Sequence, residues 1–89
     1  MIKIKYKVKN TEGIHARPAG LLAYKFKKLK CNVIIEKNEK AVNAKEIFPL
    51  MSLSIKQNDT IFIIFEGEKE AEEAEIANKF LKYFNIIKQ

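Results

Sequence analysis

Tryptophan is absent from the sequence, cysteine and histidine occur once each, proline twice and glycine three times. A chain with one thiol, Cys31, cannot close an internal disulfide or build a multi-thiolate metal site, so nothing in it demands an oxidising compartment. One histidine excludes the paired imidazoles of common zinc sites, and three scattered glycines make no phosphate-cradling loop. No Gly-x-Ser-x-Gly elbow occurs. Long apolar runs are missing as well. The opening MIKIKYKVK alternates, so it is expected to be neither a secretory signal nor a membrane span, and the cytoplasm is the expected compartment. Negative charge is the scarcer sign, 11 acidic against 17 basic residues, and the formal +6 favours acidic partners. Nucleic acid is one such partner, but no aromatic stacking set accompanies the lysines, which argues against it.

What is present suits a folded chain: 47% of the residues are apolar and 31% charged, consistent with one domain over residues 1–89. Ile2, Ile4, Tyr6 and Val8 alternate with lysines, the pattern of a half-buried strand. Beginning near His15 or Ala16, Pro18, Leu22, Phe26 and Leu29 form the apolar stripe of a helix. NVIIE and the segment Lys40 to Ala44 read as strands joined by a tight hairpin at Lys37 to Glu39, with Glu39 a weaker turn residue than glycine. Between Lys45 and Leu53 a short helix is predicted, with Pro49 tolerable only in its first turn. TIFIIF is predicted to be a central strand. Beyond Gly67 a helix follows whose glutamates come early and whose Lys79, Lys82 and Lys88 come late, matching the helix dipole, with Ala74, Ala77, Leu81 and Phe84 on its buried side. The order is βαββαβα, with helices covering one face of an antiparallel sheet.

The lone histidine lies in GIHARPAG, between a glycine turn and a helix start. Such a residue is ordinarily an unremarkable surface side chain. Here it precedes the amides of Ala16 and Arg17, which as first-turn donors lack intrahelical acceptors, while Pro18 has no N–H to leave unpaired. The planar fork of Arg17 suits phosphate oxygens. Together these groups offer an imidazole nucleophile beside a small anion site, and a phosphohistidine fits it. An enzyme using His15 as a general base is disfavoured, because the partner groups it needs are missing. A group passed between two proteins must be reachable by both, so His15 is expected at the surface.

The stretch GIHARPA resembles the signature of the HPr family, the histidine-containing phosphocarriers of the bacterial phosphoenolpyruvate-dependent sugar phosphotransferase system. VNAKEIFPLMSL resembles the family's second helix region. The resemblance implies an α+β open-faced sandwich: a four-stranded antiparallel sheet in the order 1-4-2-3 with three helices on one face. It implies that His15 is phosphorylated on Nδ1 by Enzyme I and hands the phosphoryl group to the IIA domains of sugar permeases, with no cofactor. Arg17 would neutralise the phosphoryl charge, and the Ala16 and Arg17 amides would bind its oxygens. A related reading is a paralogue in a regulatory, for instance nitrogen-type, relay. The expected docking surface has Ala16, Leu21, Ile47, Phe48 and Met51 at its centre and Lys27, Lys28 and Lys45 around it, although Met51 also fits a core position and lysines also simply solvate a face.

Three positions and one surface patch carry particular expectations. Glu46 stands where many relatives have a serine modified by a regulatory kinase, so that switch is expected to be absent; Glu46 is either a partial phosphate mimic or an ordinary helix-start acid. Ser54 falls where the family often has a left-handed glycine. For Glu12, one residue before Gly13, two readings stay open: it lowers the affinity for anions, or it points into water. On the sheet's open face Ile34, Phe62 and Ile64 are expected to form an apolar patch, flanked by the lysines of the first strand. It would support weak self-association of an otherwise monomeric chain, or a second contact.

Overall fold

The alternating amino-terminal stretch becomes β1 (Ile2–Val8) in the computed structural model, which describes residues 1–89. Then come α1 (Ala16–Lys27), β2 (Asn32–Lys37), β3 (Lys40–Asn43), α2 (Ile47–Met51), β4 (Thr60–Glu66), α3 (Glu70–Tyr83) and β5 (Ile86–Lys88). The sheet is antiparallel with strand order β3-β2-β4-β1-β5, so the expected 1-4-2-3 arrangement is present with one further strand at the β1 edge. β4 is central. Ile63 stands opposite Ile4 on one side and Ile35 on the other. Because side chains alternate across a strand, Tyr6, Ile35, Ile61, Ile63 and Phe65 are buried together on the helix-covered face.

Leu22 and Phe26 of α1 join them, as do Leu50 of α2 and Ala77, Phe80 and Leu81 of α3, in one continuous apolar cluster. The rings of Phe26 and Phe80 meet edge-on with centroids 5.2 Å apart, an arrangement favoured by the ring quadrupoles. Phe84, expected on the buried side of α3, is only partly covered, and Phe80 fills that place.

The last helix is shorter than its charge pattern predicts. It ends at Tyr83, Asn85 turns left-handed (φ 57°), and Lys88 lies on β5. The cause is tertiary: Asn10 Nδ2 donates to the Phe84 carbonyl at 2.7 Å, and the Lys9 N–H donates to the Asn85 carbonyl at 2.8 Å. These bonds turn the chain back beside β1 and bury Ile86 completely. α2 is likewise trimmed to Ile47–Met51, which places Pro49 in its first turn, where a missing N–H costs no helical bond. Ser54 adopts the left-handed conformation at φ 50°.

On the outer face Ile34, Phe62 and Ile64 are half-buried. Lys3 covers part of this patch, with Nζ 4.8 Å from the Phe62 ring centroid and 3.1 Å from Glu36 Oε1. The long lysine stem shields apolar surface while its charge stays in water.

Candidate functional site

Gly13 fixes how the chain enters α1. Its φ is +68°, and a Cβ there would stand 2.4 Å from the Ile55 carbonyl oxygen, so only glycine fits. The next residue, Ile14, is buried, and its N–H donates to that same carbonyl at 3.0 Å. His15 follows as the N-cap with extended backbone (φ −115°, ψ −160°), and its carbonyl accepts the Ala19 N–H at 2.8 Å, closing the first helical turn. A buried residue thus anchors the segment while the next one projects outward. The His15 side chain is 52% exposed.

No side chain caps α1. The Ala16 and Arg17 amides at its first turn therefore remain donors without helical acceptors, and Pro18 occupies the third helical position. Arg17 is exposed and makes no ion pair within the chain. It borders a shallow groove with Asn10, Glu12, Leu21, Tyr83 and Asn85. The start of α1 presents an imidazole, the positive end of a helix dipole and, two residues on, an exposed guanidinium, groups whose chemistry suits holding an anion against a nitrogen nucleophile.

Glu12 does not simply point into water. Its Oε1 lies 3.0 Å from His15 Nε2. Sequence reasoning placed this carboxylate near the site without identifying its partner; the spacing across the turn was the available signal. The other candidates divide by element. Leu21 is exposed on α1, and Phe48 and Ile47 on α2, with Phe48 81% exposed. The two helices pack against each other. Met51 is partly buried against the core. Lys27 and Lys28 are exposed, Lys28 Nζ standing 4.6 Å from the centroid of the exposed Tyr24 ring, an aromatic the sequence reading did not single out. Lys45 is turned inward, donating to the Leu29 carbonyl at 2.8 Å, so it ties α1's end to the α2 approach. Glu46 is exposed before α2 and accepts from Asn43 Nδ2 at 3.3 Å.

Two buried polar groups lie away from the site. Glu73 accepts the N–H groups of Lys30 and Cys31, each at 2.8 Å. Burial alone would raise its carboxyl, but the Cys31 thiol, these two amides and the Lys45 charge together hold it below its ordinary value. Burial, reinforced by Glu73, pushes the Cys31 thiol up to about 11, which leaves it protonated and unreactive at neutral pH.

Comparison with known proteins agrees with the geometry. The sequence model of the family described as "PTS HPr component phosphorylation site" matches residues 2–83. The chain is 40% identical to the phosphocarrier protein HPr of Mycoplasma pneumoniae over 88 residues, covering 98% of this chain and all of the relative. It is 44% identical to the HPr-like protein Crh of Halalkalibacterium halodurans over 79 residues, covering 86% and 94%. A crystal structure of HPr from Thermoanaerobacter tengcongensis superposes with a TM-score of 0.86 at 32% identity, covering 94% of each chain. The chain therefore belongs to the HPr family of phosphotransferase-system phosphocarriers.

Proposed function

We propose that His15 accepts a phosphoryl group from phospho-Enzyme I and passes it to the IIA domains of sugar permeases, in the cytoplasm, with residues 1–89 acting as one carrier domain. The observation that supports this most is the exposed His15 ring at the uncapped start of α1 beside an unpaired Arg17. In the first step the Nδ1 lone pair attacks phosphorus, the bond from phosphorus to the donor breaks, and its electron pair returns to the donor. The second step reverses these roles, with the acceptor attacking and the electron pair returning to Nδ1. Arg17 and the Ala16 and Arg17 amides stabilise the phosphoryl oxygens during both. The protein is a carrier whose covalent intermediate is a phosphohistidine.

Donor and acceptor must use the same nitrogen in turn, so each complex has to be modest in area and short-lived. Phe48, Ile47, Leu21, Met51 and Ala16 form the proposed apolar centre, with Lys27 and Lys28 as cationic rim; Lys45 contributes by holding the helices. Glu46 carries a carboxyl group and no hydroxyl, so the serine-kinase switch is absent at that position. Incubation with such a kinase and ATP should leave the mass unchanged, and stoichiometric phosphate would overturn this. The Ile34, Phe62 and Ile64 patch is a proposed weak self-contact of a monomeric protein, an idea that monomeric sedimentation up to millimolar concentration would remove.

Incubation with phosphoenolpyruvate and Enzyme I tests the main reading. One phosphate should be added, acid should remove it as expected for a phosphoramidate, and His15→Ala should abolish it. No uptake by the wild-type chain, or unchanged uptake by His15→Ala, would refute the assignment.

A further inference from the structure

We propose that Glu12 is a positioning residue for His15, holding the ring in the tautomer that exposes Nδ1 as the nucleophile; this rests on the phosphocarrier reading above. Glu12 Oε1 lies 3.0 Å from Nε2, and no other cation in the chain pairs with this carboxylate. An ionised carboxylate can only accept hydrogen bonds, so the nitrogen facing it must carry the hydrogen. A neutral imidazole has one such N–H. With Nε2 protonated, the free lone pair belongs to Nδ1.

The same contact serves the transfer step. When Nδ1 bonds to phosphorus, the donor keeps the electron pair of the broken bond and the ring gains the positive charge, since Nε2 retains its hydrogen. A carboxylate on Nε2 steadies that charge from the side of the ring away from the phosphoryl group. The logic is that of a carboxylate behind a catalytic histidine, which fixes its tautomer and stabilises the imidazolium without taking the proton. Here the pair is exposed, with Glu12 77% and His15 52% accessible, so its effect is smaller than in a buried triad.

A purely structural role for Glu12 is the alternative, because an acid near a helix start also complements the dipole. Ring-nitrogen NMR of protein labelled with 15N-histidine separates the two, recorded at alkaline pH where the ring is neutral. In the wild-type chain Nε2 should be the protonated nitrogen and Nδ1 the unprotonated one. Glu12→Ala should raise the Nδ1–H population and slow phosphoryl uptake about fivefold, the scale of an exposed charge-assisted hydrogen bond. Glu12→Gln, whose Oε1 still accepts from Nε2–H, should restore the wild-type tautomer and part of the lost rate. An unchanged tautomer ratio in Glu12→Ala, with circular dichroism showing intact helices, would overturn the proposal, as would Glu12→Gln matching Glu12→Ala in that ratio. Failure of the wild-type chain to take up phosphoryl groups would instead refute the carrier reading, and the tautomer ratio would still decide whether Glu12 sets the ring.

Discussion

At the scale of single residues, three neighbours decide what the His15 ring can do. Gly13 makes the turn against the Ile55 carbonyl, Ile14 anchors it in the core, and Arg17 is left unpaired within reach of an incoming anion. In the proposed transfer Arg17→Ala would remove a charge-assisted bond to the phosphoryl group, worth about 1.5–3 kcal/mol, so transfer should slow by roughly 10- to 100-fold. Urea unfolding of that variant should stay within about 0.5 kcal/mol of wild type, because the side chain has no partner in the folded chain. Transfer at the wild-type rate would remove Arg17 from the site. The place of His15 and Arg17 at a helix start was legible in the sequence because a glycine turn followed by a helix start leaves free amides whatever the rest of the fold does. Glu12 was not, since spacing alone does not say which of several rotamers a surface carboxylate takes.

Elements show the same division. The hairpin between β2 and β3 has two central residues, Asn38 and Glu39, both left-handed at φ 49° and 70°. A two-residue turn of this kind is mirror-handed to match strand twist, and it favours Asn-Gly. Glu39→Gly should therefore stabilise the protein by about 0.5–1 kcal/mol and raise the melting temperature by roughly 2–8 °C. A lower melting temperature would show that glycine's added freedom in the unfolded chain outweighs the relieved strain. On α2, Phe48→Ala should weaken Enzyme I binding at least several-fold while leaving the unfolding midpoint in place, as expected for a side chain 81% exposed; wild-type transfer kinetics would count against the proposed surface. Period-two and period-3.6 patterns made β1, β4 and α1 readable. The end of α3 was misread, because Lys88 fitted the helix dipole equally well. The signal that wins is Asn85, whose left-handed turn is a tertiary matter fixed by Asn10 and Lys9.

For the whole molecule, one sheet and one continuous core follow from alternation alone, whereas the fifth strand depends on where the chain returns after α3. Glu73, which joins α3 to the loop between α1 and β2, contributes to stability against acid. Its folded-state carboxyl is depressed, so the stabilisation is present above the ordinary value of 4.5 and is lost as pH falls through the folded-state value. Asp59 acts in the same direction: the Lys56 N–H at 2.8 Å and the Lys37 ammonium at 2.9 Å overcome its burial penalty. Glu73→Gln leaves one amide poorly paired and should cost about 1–3 kcal/mol at neutral pH. Part of the acid sensitivity below pH 4.5 should vanish with it, as read from denaturant midpoints across pH; equal acid loss in both proteins would assign the effect elsewhere. The central claim concerns one ring nitrogen, and the most direct measurement is 31P–15N coupling in 15N-histidine-labelled protein after reaction with phosphoenolpyruvate and Enzyme I. Coupling of one phosphorus to Nδ1 of His15 is the expected result; a phosphorus bonded to Nε2, to another residue, or to none would contradict the account.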